Sequence, residues 1–160
     1  MIKPRYIQCI DDLIKKYNFK LGAELGVKTG RSSISLLHNN PDLHMIAVDL
    51  WDTHESIIET QHDHELDYKT CLKNIKEFKV DDRITIIRKL ITQASKDIED
   101  NSLDFIFVDG THTPEQLILD LKAWIPKVKP TGAICGHDYV SRFGMKPVIN
   151  SLGVRERGYI

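Results

Sequence analysis

The sequence predicts an α/β domain with a mostly parallel sheet and helices on both of its faces. Short apolar runs that suit strands alternate with segments that suit helices. One of those runs, Leu103 to Val108, is apolar almost throughout, as expected of a strand covered above and below. A glycine-spaced turn, Gly22-Ala-Glu24-Leu-Gly26-Val-Lys-Thr-Gly30, sits between an apolar run and a helical one, which places a strand-to-helix crevice early in the chain. Ligands of open α/β sheets bind beyond the carboxyl ends of the strands, where this chain carries Asp49, Asp109 and Asp138.

The elements follow in order. A helix is predicted over Tyr6 to Tyr17, with Ile7, Ile10, Leu13 and Ile14 spaced for one packed face. Strand one covers Leu21 to Leu25, and a helix runs from Thr29 to His38, ended by Asn39, Asn40 and Pro41. Strand two is Leu43 to Val48. Leu50 to Asp67 is polar and reads as a long loop or solvated lid, ahead of a helix from Leu66 to Phe78. Its His54, His62, Asp63, His64 and Glu65 are assigned no ligand. Strand three is Ile84 to Ile87, followed by a short helix over Thr92 to Ile98 and strand four over Leu103 to Val108. Thr113 caps the next helix, with Pro114 in its first position and Gln116 three residues past the cap, and the helix ends near Trp124. Strand five is Ala133 to Cys135, and the tail suggests a short helix over Lys146 to Leu152 and a strand at Arg157 to Ile160.

At 160 residues the chain fits one domain spanning 1–160, with a hydrophobic content of 41%. A chain of this size buries roughly two-thirds of its unfolded surface. Its 22 basic and 23 acidic side chains are interspersed and leave a net charge of -1, which argues against a general attraction to nucleic acid or anionic lipid. Cys9, Cys71 and Cys135 lie far apart with no CxxC pair and read as reduced thiols of a cytoplasmic protein. Met-Ile-Lys-Pro-Arg-Tyr lacks the apolar core expected of a signal peptide, and no apolar stretch reaches the roughly 20 residues of a membrane span, so no membrane partner is expected. A homo-oligomer is left open.

Gly26 and Gly30 would let backbone approach a ligand closely, beside the unpaired N–H groups of a helix start. The alternative is a bare tight turn. The spacing is not GxGxxG, which weakens a nicotinamide-dependent reductase. Glu24 would repel a phosphate but could attract a cationic amine. Asp49, about twenty residues beyond the glycines, is placed to accept hydrogen bonds from ribose hydroxyls, or simply to end the strand. Leu50 and Trp51 could border an adenine ring or could be ordinary packing. Asp109 is not needed as a helix cap, since Thr113 offers that hydroxyl, and Gly110 allows a reversal that brings His112 over the strand end. A histidine there could act as general base. Asp109 with His137 and Asp138 would suit Mg2+ or Mn2+ better than zinc, the alternative being a hydrogen-bonded pair that fixes the loop.

Taken in order, Glu24-Leu-Gly26-Val-Lys-Thr-Gly30, Val48-Asp49-Leu-Trp51-Asp52, Phe107-Val-Asp109-Gly-Thr-His112 and Gly136-His137-Asp138-Tyr139 resemble the class I S-adenosylmethionine-dependent methyltransferases. Within them, the chain is most similar to the O-methyltransferase branch that includes macrocin O-methyltransferase-like and cephalosporin hydroxylase-like proteins. The resemblance implies a three-layer Rossmann-like fold with a shortened C-terminus. It also implies that Glu24 and Gly26 lie near the methionine part of the cofactor, that Asp49 binds the ribose, and that Leu90 to Thr92, including Ile91, border the adenine. Asp109, His137 and Asp138 would be the metal ligands and His112 the base, although His-Asp stands where metal-dependent members have an acidic pair. The implied reaction is methylation of a small hydroxyl-bearing acceptor, a sugar or a phenol. The rival is a non-catalytic nucleoside-binding scaffold of the same fold.

Overall fold

The computed structural model describes residues 4–52, 63–110 and 113–136. The tail helix and final strand expected beyond Tyr139 lie outside these residues. Among the described residues, five parallel strands form one sheet in the order β3-β2-β1-β4-β5. They are β1 (Leu21–Leu25), β2 (His44–Asp49), β3 (Ile84–Arg88), β4 (Leu103–Val108) and β5 (Val128–Gly136). The helices are α1 (Arg5–Tyr17), α2 (Arg31–Asn39), α3 (His64–Glu77), α4 (Ile91–Ala94) and α5 (Pro114–Trp124).

Side chains alternate across each strand, so neighbouring residues serve opposite layers. Met45, Ala47, Phe105 and Phe107 join Ile7, Ile10, Ile14, Ile34 and Leu37 in one buried cluster, on the face covered by α1, α2 and α3. Val48, Leu103 and Ile106 join Ala94, Leu117, Leu121 and Trp124 in a second, under α4 and α5. Two cores on either side of one sheet make the expected three layers. The α1 face is as read: Ile7, Ile10 and Ile14 are buried, and Leu13 packs at the margin.

Polar ties hold the layers in register. The buried Asp11 of α1 accepts a bond from Asn40 Nδ2 at 2.7 Å, which fixes the end of α2. Arg83 caps that helix from the β3 side by donating to Leu37 and Asn40 carbonyls at 2.9 and 3.2 Å. At the N-terminal end of the sheet, Asp104 accepts the backbone N–H of Lys20 and of Leu21 and the ammonium of Lys129, which ties β1, β4 and the β5 region together.

Several element bounds differ from expectation. β5 begins at Val128, five residues before the predicted start, because its pairing with β4 shifts register between Leu103 and Phe105. Pro130 and Gly132 sit in that irregularity and disguise it in the sequence, since proline cannot donate to a ladder. α3 begins at His64, two residues early, with Asp63 accepting the Leu66 N–H at 2.9 Å as its cap. His64 and Glu65 therefore belong to a helical turn and not to a lid, while His54 and His62 lie outside the described residues. Thr113 caps α5, but the Gln116 side chain bonds Asp120 at 2.9 Å instead of reaching back to close a capping box.

Candidate active site

Three strand ends meet at the carboxyl edge of the sheet. The Gly26 N–H donates to the Val48 carbonyl at 2.9 Å, and the Asp109 N–H donates to the Leu25 carbonyl at the same distance. The ladder thus continues past the last strand residues and brings Gly26, Asp49 and Asp109 together. Gly26 has φ +90°, and a Cβ there would lie 2.5 Å from the Asp109 carbonyl oxygen and from Gly110 Cα. Only glycine lets the two loops touch. Gly30, with φ +78°, has Cys71 Sγ 2.9 Å from where its Cβ would be. The bare sides of both glycines face protein, so their first role is loop-to-loop and loop-to-helix contact. At Gly110, too, a side chain would strike Ile91 Cδ1, so the missing side chain serves close packing beside the first turn of α4.

Asp49 is the hub of the edge. Its Oδ2 accepts both the Val27 and the Lys28 backbone N–H at 2.8 Å, and its Oδ1 accepts the Trp51 N–H at 3.0 Å. A carboxylate offers about four lone-pair sites, two on each oxygen, so Oδ2 is filled and Oδ1 keeps one for a further donor. A hydroxyl brought to this carboxylate would find room on Oδ1 alone; a second acceptor bond would displace one to the glycine turn.

Trp51 is a packing residue here: its side chain is buried, its ring lies 5.0 Å from that of Tyr68, and its Nε1–H donates to the Lys28 carbonyl at 2.7 Å. It holds φ +45°, a left-handed conformation that costs a bulky residue about 1–3 kcal/mol. Arg88 braces it from the end of β3, donating to the Trp51 carbonyl at 2.9 Å and, more weakly, to the Leu50 carbonyl at 3.4 Å. Asn74 of α3 donates to the Thr29 carbonyl at 2.9 Å. The glycine turn is therefore held from β2, from the Trp51 ring and from α3 at once. Ile91 lies on the other side of the edge, over Gly110, and its carbonyl accepts the Trp124 indole N–H at 2.9 Å. Leu50, Ile91 and Thr92 are each half-buried.

Glu24 is only 1% exposed. Its Oε2 accepts the Ser33 backbone N–H at 2.9 Å and also bonds the Ser33 hydroxyl, so it caps the first turn of α2 from within the sheet. Burial pushes its pKa up to about 8, with Asp109 adding to the rise and the Ser33 bonds opposing it. The proton is favoured at neutral pH, which weakens the charge attraction the sequence suggested toward a cationic amine. Burial, with Glu24 and Asp49 adding to it, pushes the nearby Cys71 thiol up to about 12, so it is inert. All three cysteines are free.

Sequence reasoning missed Ser33, Asn74, Tyr68 and Arg88. Ser33, one turn past Gly30, and a cation closing an apolar strand were visible signals, whereas Asn74 and Tyr68 reach the edge only through the docking of α3. His112, His137 and Asp138 lie outside the described residues, and among the described residues no cluster of three metal-ligating side chains occurs. No described helix is long and apolar enough to cross a membrane.

Residues 23–139, a span that runs from within β1 to beyond β5, match the model of the methyltransferase domain. The chain belongs to that methyltransferase domain family. A candidate caffeoyl-CoA O-methyltransferase from Staphylococcus aureus superposes with a TM-score of 0.68 at 19% identity, over 98% of this chain and 66% of its own. An O-methyltransferase from Bacillus cereus in complex with S-adenosylhomocysteine superposes with a TM-score of 0.66 at 16% identity, over 98% of this chain and 72% of its own. These likenesses establish the class I methyltransferase fold. Over 53 residues the chain is also 42% identical to an uncharacterised protein of Sinorhizobium fredii, a match covering 33% of this chain and 6% of that protein. The chain thus spans about two-thirds of the Staphylococcus aureus structure and a small part of the Sinorhizobium fredii protein.

Proposed function

We propose that the domain binds S-adenosylmethionine across the ends of β1, β2 and β4 and transfers its methyl group to an oxygen of a small acceptor, a sugar or a phenol. The observation that carries this reading is Asp49: a carboxylate fixed by three backbone N–H groups, at the second strand end of a chain in the methyltransferase family, with one lone pair unspent. In this reading Asp49 holds a ribose hydroxyl, and Leu50, Ile91 and Thr92 border the adenine. Gly26 and Gly30 shape the turn, and Glu24 with Asp109 lies toward the methionine end. The Bacillus cereus protein, which shares the fold, holds the product form of this cofactor.

The cofactor supplies a methyl group already activated by its sulfonium. The protein's task is then to align an acceptor oxygen, an effect worth up to about 7–11 kcal/mol in well-oriented systems, and to take up the hydroxyl proton. His112 is the proposed base. Asp109, His137 and Asp138 are the proposed ligands of Mg2+ or Mn2+, which would lower the acceptor's pKa. Of these four only Asp109 is among the described residues, so no step is routed through an ion. A soluble cytoplasmic protein, able to form a homo-oligomer, is proposed on the same footing.

Calorimetric titration with S-adenosylmethionine and S-adenosylhomocysteine, with and without Mg2+, tests the reading. Saturable binding of both is expected, and no binding of either would sink it. Binding without methyl transfer across a panel of hydroxyl compounds would favour the nucleoside-binding scaffold. An unchanged affinity and rate in chelator would remove the metal.

A further inference from the structure

We propose that Arg88 is a positioning residue for the nucleoside site: from the end of β3 it fixes the Leu50–Trp51 backbone, and through it the direction in which Asp49 presents its remaining lone pair. The assignment rests on Asp49 being the ribose acceptor. Arg88 sits outside the sequence motifs, yet it contacts the Leu50–Trp51 backbone, Glu65 and Tyr68 at once. Its Nη2 donates to the Trp51 carbonyl at 2.9 Å and to Glu65 Oε2 at 3.0 Å, and its Nε reaches the Leu50 carbonyl at 3.4 Å. The guanidinium carbon lies 4.5 Å from the centroid of the Tyr68 ring, which in turn lies 5.0 Å from the Trp51 ring. One planar side chain thereby joins β3, the loop after β2 and the first turns of α3.

The consequence for Asp49 runs through Trp51. With φ +45°, Trp51 occupies a conformation that its own backbone disfavours, so outside contacts must hold it. Its carbonyl is held by Arg88 and its indole N–H by the Lys28 carbonyl. Held so, its backbone N–H is aimed at Asp49 Oδ1, while Val27 and Lys28 take Oδ2. Releasing the carbonyl lets the Trp51 backbone relax, and the Asp49 carboxylate loses one of the three bonds that set its rotation, the one on Oδ1. The Glu65 ion pair contributes little to this: its carboxylate is 52% exposed, where such pairs are weak. Lysine cannot replace Arg88, because an ammonium does not lie flat on a ring while bonding neighbouring carbonyls.

The test compares Arg88→Met, Arg88→Lys and Glu65→Gln by calorimetry with S-adenosylhomocysteine and by amide hydrogen exchange. Both Arg88 variants are expected to bind about tenfold more weakly, and Glu65→Gln to bind like the parent protein. Exchange should quicken at Val27 and Lys28 while core amides such as that of Ile106 keep their protection, a pattern that a general loss of stability would not give. If Arg88→Met fails to fold, Arg88→Lys, which keeps the charge, carries both measurements. Parent-like affinity and unchanged Val27 and Lys28 exchange in the folded Arg88 variants would overturn the proposal. A parent protein that binds no nucleoside would instead overturn the ribose role of Asp49, with the exchange data still deciding whether Arg88 sets that side chain.

Discussion

Asp49 illustrates how one carboxylate can serve fold and ligand together. Three backbone N–H groups converge on it, from Val27, Lys28 and Trp51, and each would lose its partner if the carboxylate were removed. Asp49→Ala is therefore expected to lower stability by about 1–3 kcal/mol, read as a shift in the denaturant midpoint, and to abolish nucleoside binding. Full stability in that variant would mean that the glycine turn needs no acceptor there. The residue type and its position were legible in the sequence, but its bonds to the turn were not. An aspartate about twenty residues past a glycine turn can face outward or inward, and only the pairing of β1 with β2 decides that Asp49 reaches Val27. Glu24 makes the same point with the opposite outcome. Its carboxylate looked available for a ligand, whereas one oxygen is committed to Ser33 in the first turn of α2.

At the scale of elements, the glycine turn is governed by contact between loops. Gly26→Ala meets two obstacles: φ +90°, which L-residues avoid, and backbone of the β4–α5 loop 2.5 Å from the new Cβ. We expect a loss of at least about 2 kcal/mol, with the turn and the Asp109 loop pushed apart and nucleoside affinity falling with it. Thermal unfolding and calorimetry check both halves, and a variant as stable as the parent would disprove the close approach. Apolar periodicity correctly gave the existence and order of α1 to α5 and of β1 to β5, because a buried face leaves its spacing in the sequence. A boundary was missed where a non-local partner decides it. β5 extends back to Val128 because β4 offers it a partner across a register shift, whereas α3 starts at His64 through a local cap, the Asp63 carboxylate, hidden within a uniformly polar stretch.

Over the whole molecule, buried acids set the response to pH. Glu24 titrates near 4.5 in the unfolded chain and, pushed up by burial, at about 8 when folded. Asp120, raised by burial against its Gln116 bond, moves from 3.8 to about 6. Between these limits the folded state holds protons that the unfolded state has lost, so stability falls as pH rises. Asp104 runs the other way. Burial alone would raise it, but the Lys129 ammonium and the Lys20 and Leu21 N–H groups outweigh that and lower its pKa, so its contribution is complete above the unfolded value of 3.8. The expected profile is a maximum near about pH 4, where the Asp104 gain is complete and the losses from Asp120 and Glu24 begin, and a decline from there to about pH 8, with Glu24→Gln flattening the upper part. Unfolding midpoints measured at several pH values for both proteins check this, and a parent midpoint that climbs to pH 8 would contradict it.

Local pattern in the sequence, namely period-two and helical spacing, turn glycines and short motifs, was enough for the layered α/β architecture, the family, and the placing of Asp49 and Asp109 at strand ends. Only the tertiary structure decided which atoms those acids use, that Gly26 and Gly30 turn their bare sides toward protein, and that Arg88, Trp51 and Asn74 brace the turn. Most of those facts depend on residues 21 to 84 positions apart being brought into contact. Spacing along a chain carries no record of such meetings until the sheet is assembled.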